Sequence, residues 1–247
     1  MGLEGLTTID IIHGSFGLIF MTVSLIIGLK ILTKYFSIKR IELVTVAFTW
    51  IFLSTAWWGA GISFVTYAFY GVTLNLFWYL FVDNVFLPFA LLLWIYSFCR
   101  LAYPAWKKKL LIIYTVICIP YEIFLIIFLL IDPNLIGTME ATFNSSNKLY
   151  VIIFQVFALA TALITGYLFS KKSIESDDPK NRWKGRFILI AFISFTIAAL
   201  FDVGLPVTPA TLVIARLILI SSSFLFYLGF FLPDKIANLL IKESSEP

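Results

Sequence analysis

Thr211 to Leu232 reads TLVIARLILISSSFLFYLGFFL, a run in which Arg216 is the only charge. At about 1.5 Å per residue this length crosses ~30 Å of hydrocarbon, so it predicts a membrane-spanning helix with a guanidinium inside it. A charge in that region costs at least ~2.5 kcal/mol, and it is expected to face the protein interior and pair there. Asp83, Glu122 and Asp202 are the available partners, each within another long apolar segment.

Composition points the same way: 61% of residues are hydrophobic and 13% charged. The expected fold is all-α, a polytopic membrane protein built as a seven-transmembrane-helix bundle. The segments run Ile9 to Ile31, Ile41 to Val65, Leu74 to Tyr96, Leu110 to Ile131, Leu149 to Phe169, Phe187 to Leu205 and Thr211 to Leu232. Membrane strands would need alternating runs of about ten residues, and these segments are apolar on every face. No gap is long enough for a soluble domain, so residues 1–247 are expected to form one membrane domain with a tail from 233 to 247.

Sixteen of the eighteen lysines and arginines fall after segments one, three and five or in the tail. By the positive-inside rule the carboxyl end is then cytoplasmic and the amino end outside. The net charge of +4 is read as this topology signal and implies no nucleic-acid partner. The lipid bilayer is the expected partner, in the cell membrane, and the basic loop Lys171 to Arg186 is a candidate contact for a cytoplasmic protein.

Glu4 and Asp10 leave the amino terminus without the positive region of a signal peptide, so the first segment is expected to be retained. Gly2 is followed at position 6 by Leu6, which does not suit myristoylation. Cys99 and Cys118 lie at different depths and predict no disulfide. Asp178-Pro179 reads as a cap with proline in the first turn, which would start the sixth helix below the membrane surface. Asp234 to Lys242 could lie on that surface with Ile236, Leu239, Leu240 and Ile241 toward lipid. Asn144-Ser145-Ser146 fits a glycosylation acceptor.

Counting about 1.5 Å per residue from the outer helix ends puts Asp83 and Glu122 at ~13 Å, Arg216 at ~10 Å and Asp202 at ~6 Å. Gln155 and His13 fall at ~6 to 9 Å, and Trp57 and Trp58 at ~11 to 14 Å. His13, beside Asp10, reads as an interfacial residue. The inner half carries hydroxyls such as Thr49, Ser54, Thr161 and Thr165, with Glu42 close enough to its end to snorkel. A polar chamber open outward and closed inward suits a binding pocket better than a channel, which needs a continuous polar path.

Three acids against one base would leave the chamber negative if all were ionised. Either one acid pairs with Arg216 while the others keep protons, or a bound cation completes the balance. Asp202 and Asp83 are the favoured partners of Arg216. Asp83 with Asn84 places two adjacent polar residues on different helix faces, and Gln155 suits a hydrogen bond between helices. Trp57 and Trp58 read first as packing or outer-belt aromatics, although tandem indoles near acids would suit a cationic or aromatic ligand. Pro88 and Pro120 predict kinks beside Asp83 and Glu122. A plain structural clamp between the last two helices would also account for Arg216 with Asp202.

Catalytic signatures are missing. One histidine and no deep cysteine pair cannot build the usual zinc site, and there is no G-x-S-x-G elbow or glycine-rich phosphate loop. The expectation is a protein that is not an enzyme and needs no cofactor. The plan of seven helices with a charged layer in the outer half resembles microbial rhodopsins, and that resemblance would imply retinal on a seventh-helix lysine. Arg216 stands in that helix, no lysine lies deep in any segment, and a permanently protonated guanidinium cannot form the Schiff base. GRFILIAFISFTIAALFDVGLP (Gly185 to Pro206) and TLVIARLILISSSFLFYLGFFLP (Thr211 to Pro233) more closely resemble uncharacterised archaeal seven-helix integral membrane proteins, a likeness that implies a lineage and no site.

Three function classes follow. The first is a receptor-like or sensory protein binding a small, cationic or amphiphilic ligand other than retinal through Asp83, Asn84, Glu122, Asp202, Arg216, Trp57, Trp58 and Gln155. The second is a small secondary transporter or proton-coupled carrier, for which L-F-V-D-N-V-F-L-P at Leu80 to Pro88 echoes L-F-D-V-G-L-P at Leu200 to Pro206 as in an inverted repeat. The third is a structural or lipid-interacting membrane protein.

Overall fold

The computed structural model describes residues 4–204 and 208–243; Gly2, Leu205, Pro206 and the tail beyond residue 243 lie outside them. Among the described residues seven helices are long and apolar enough to cross a membrane: Thr8–Ile38, Ile41–Tyr70, Leu76–Leu101, Pro104–Ile131, Leu149–Ile174, Pro179–Asp202 and Pro209–Phe230. The chain is an all-α, multi-pass bundle, and each helix overlaps one of the expected segments along most of its length. Several run well past them: the first ends at Ile38, the fifth at Ile174, and the sixth begins at Pro179. Hydropathy falls at the first lysines, whereas helical hydrogen bonding continues beyond them and long basic side chains reach water.

Local chemistry fixes the helix ends. Thr7 and Asp10 form a reciprocal capping box that opens the first helix, which gives buried Asp10 a structural role. Asp178 accepts from the Lys180 amide at 2.9 Å, and Pro179 opens the sixth helix as the sequence predicts.

The first helix packs on the second and seventh, the second on the third, the third on the fifth, and the fifth through the sixth to the seventh, closing a ring. Gly17 lies where an added Cβ would come within 3.3 Å of the Gly61 amide nitrogen, so the first two helices meet at small residues. The fourth helix stands outside the ring against the third, with Ile112, Val116, Phe124 and Leu130 exposed as lipid contact requires. Stacked rings join it to the fifth, Tyr121 on Phe154 at 3.7 Å and Tyr114 on Phe157 at 5.7 Å.

On the carboxyl-terminal side of the bundle's middle, large rings fill the interior. Trp50 stacks on Phe226 at 4.3 Å, and Trp94, Phe192 and Phe98 are buried around free, buried Cys99. Hydroxyls there clamp neighbours: Thr45 to Ser97 at 2.7 Å, and Trp94 Nε1 to Thr165 at 2.7 Å. Glu42 departs from expectation. It is buried and takes Arg100 Nε at 3.0 Å, because a neutralising cation from the third helix makes burial affordable.

Two helices are interrupted at the other end. The second is helical over Ile41–Ser54, makes a 3-10 turn at Thr55–Trp57, and resumes over Trp58–Tyr70. The third breaks between Leu76–Asn84 and Leu87–Leu101, with Pro88 in the first turn of the second piece where its missing N–H is harmless. Between the fourth and fifth helices, β1 (Gly137–Ala141) pairs antiparallel with β2 (Asn144–Asn147). A short tail helix, Asp234–Glu243, packs on the sixth with Ala237 buried, Ile236 and Leu240 half-buried and Leu239 exposed.

Candidate functional site

The expected charge pair forms. Arg216, mid-way along the last helix and 2% exposed, donates through Nη1 to Asp202 Oδ2. Trp57 Nε1 donates to the same oxygen at 2.6 Å, and Arg216 Nη2 lies 3.3 Å from His13 Nε2. Four helices thereby contribute to one buried cluster. The guanidinium carbon also stands 5.9 Å from the centre of the Trp57 ring, which Phe20 and Phe195 meet edge-on. Arg216 thus takes up the indole face that was expected to suit a cationic ligand.

Asp83 belongs to a different arrangement. The 3-10 turn at Thr55–Trp57 frees the amide of Gly59, and Asp83 Oδ1 accepts from it at 2.7 Å. Its other oxygen accepts no hydrogen bond from the described residues. A Cβ on Gly59 would lie 2.8 Å from both Asp83 Oδ1 and the Tyr79 ring, so only glycine permits this approach.

Between these clusters lies a cavity of about 180 Å³. His13, Trp57, Asp83, Asp202 and Arg216 supply its charged and polar wall, and Leu53, Leu87, Ala158, Ala162, Phe195 and Ala199 the apolar remainder. Asn144, Ser145 and Asn147 of the hairpin line it as well and form a partial roof over the chamber. Tyr79 donates to the Phe143 carbonyl at 2.7 Å, and the fully buried Phe143 ring meets Phe64 and Tyr67 edge-on. The acceptor Asn144 of the glycosylation pattern thereby lines the cavity, against the exposure a glycan needs.

Comparison with known protein families, curated proteins and solved structures returns no match. What the site can do therefore rests on its geometry.

Of the eight residues singled out in the sequence, Trp57, Asp83, Gln155, Asp202 and Arg216 line the cavity. Asn84 does not line it but stands behind the wall, accepting from the lining Gln155 Nε2 at 3.2 Å and donating to the Leu80 carbonyl at 3.0 Å. Trp58 is also outside, its Nε1 on Ser54 Oγ at 3.1 Å, since adjacent helical residues face about 100° apart. Glu122 corrects the expected layer most. It is 6% exposed but absent from the cavity, and neither carboxylate oxygen has a partner among the described residues. Depth along an axis matched it to Asp83, whereas the fourth helix stands outside the ring. Pro120 lies in that same helix and shapes no part of the cavity.

Sequence reasoning placed His13 at the interface, but it is buried on the cavity wall with Nδ1 unpartnered. Its Nε2 faces a guanidinium, an orientation opposed to metal ligation. Tyr79 and the hairpin residues were also missed. The hairpin carries no apolar alternation that would have announced it.

Proposed function

We propose that this chain is a receptor-like protein of the cell membrane whose cavity binds a small cationic ligand other than retinal, entering from the amino-terminal side. The observation that carries this reading is the unshared oxygen of Asp83 in a cavity whose other acid already pairs with Arg216. An ionised Asp83 leaves that site one positive charge short of balance, and an ammonium group would supply it. The volume falls below the ~300 to 1,000 Å³ of drug-sized pockets, which favours a short amine. The aromatic layer beyond the cavity, where Trp50 stacks on Phe226, supports a role in which binding is sensed and no solute passes. On this reading the amino terminus is outside, the basic stretch Lys171 to Arg186, at the facing ends of the fifth and sixth helices, meets a cytoplasmic partner, and no catalysis or nucleic-acid binding is involved.

A carrier is the second reading, favoured by the interruptions of the second and third helices beside the cavity. Broken helices flank the substrate sites of many carriers. The internal echo adds nothing to it: Leu80 lies in the early turns of its helix and Leu200 in the last turns, positions that an inverted repeat would not equate. Uptake of labelled methylammonium into proteoliposomes separates the two readings. Binding without uptake is expected; uptake abolished by Asp83→Asn would replace the receptor with a carrier.

A further inference from the structure

A second cleft, of about 580 Å³, opens at the opposite end of the bundle between the ends of the first and seventh helices and the starts of the second and sixth. Four cations line it, Lys34, Arg40, Lys180 and Lys184, against two carboxylates. Both acids are already engaged: Glu42 with Arg100 at 3.0 Å and Arg40 at 3.9 Å, and Asp234 with Lys180 at 2.5 Å. Lys34 and Lys184, from opposite walls, have no ion-pair partner among the described residues. The cleft therefore holds two uncompensated ammonium groups above a floor that includes Val46, Ile188 and Phe230.

That floor is rigid where it matters. A Cβ on Gly229 would lie 2.2 Å from Ile188 Cγ1, so the sixth and seventh helices touch there and the apolar surface is continuous. Two cations over an apolar floor at a helix-bundle end match a phosphate group carried on an acyl chain. We infer that the cleft is a phosphate-recognition site, occupied by the headgroup of an anionic phospholipid from the adjoining leaflet, with Lys34 and Lys184 as the phosphate ligands. This site is separate from the amine cavity, and its occupancy does not depend on that reading.

The test is native mass spectrometry and thermal unfolding of the purified full chain with phosphatidylglycerol, phosphatidylcholine or inorganic phosphate. Phosphatidylglycerol is expected to bind and raise the unfolding temperature, and phosphatidylcholine to do neither. Lys34→Gln with Lys184→Gln should weaken phosphatidylglycerol about thirtyfold, the scale of two surface lysines, while Lys108→Gln with Lys109→Gln leaves it unchanged. Inorganic phosphate matching the lipid at equal concentration, with the same sensitivity to the cleft variant, would keep the phosphate site and replace the lipid by a free anion. Equal losses in both variant pairs, or retention in both, would overturn the site. Lys34→Arg alone, which keeps the charge, should retain binding and guards against misfolding of the double variant.

Discussion

Asp83 Oδ1 accepts a 2.7 Å hydrogen bond from the Gly59 amide, so a carboxylate of the third helix supports the backbone of the second where its helical pattern is interrupted. The contact exists because residue 59 lacks a side chain. Gly59→Ala is expected to destabilise the protein by about 1 to 3 kcal/mol, the usual effect of overpacking, and to weaken amine binding in parallel. Thermal unfolding in detergent checks the first effect; an unchanged melting temperature would mean that the helices can part there freely.

Arg216 is buried and its partner Asp202 half-buried, and the two directions of disruption differ. Removing the acid alone by Asp202→Ala leaves an uncompensated guanidinium and should cost about 3 to 5 kcal/mol. Asp202→Ala combined with Arg216→Met removes both charges and should recover most of that loss. Denaturant unfolding of the two variants decides it.

The hairpin roof hangs from Tyr79. Tyr79→Phe removes the donor to the Phe143 carbonyl and is expected to cost about 1 kcal/mol, concentrated in the roof. Hydrogen exchange over Gly137 to Asn147 should accelerate severalfold while the helices keep their protection.

How much of this was legible in the sequence depended on which dimension a residue's role needed. The seven spans follow from one-dimensional hydropathy, and Arg216's need for an acid follows from the rule that a charge in a membrane helix pairs inside the protein, which left Asp202 and Asp83 both open. Depth could also be counted, and Asp83 and Arg216 do share one cavity. Rotation about the helix axis could not be counted, so Trp57 and Trp58 were indistinguishable although one meets Asp202 and the other Ser54. Nor could ring membership, which leaves Glu122 buried outside the cavity at a matching depth. The hairpin stayed hidden because its polar strand, Asn144 to Asn147, has no periodic pattern to read.

The tail helix is tied to the bundle by Lys180, whose ammonium stands 2.5 Å from Asp234 and holds that carboxyl below its ordinary range. A carboxyl lowered by folding contributes above its unfolded value and loses the contribution as pH falls through the folded one. The tether should therefore hold at neutral pH and loosen in acid, below about pH 4. A spin label on exposed Asn238 should gain mobility across that fall, and in Asp234→Asn it should already be mobile at neutral pH.

Calorimetric titration of the purified protein with a series from methylammonium to tetramethylammonium tests the central claim most directly. Saturable binding of at least one member is expected, weakened about tenfold or more by Asp83→Asn and unaffected by Glu122→Gln, which lies outside the cavity. Absence of binding across the series, or binding that Asp83→Asn leaves intact, would contradict it.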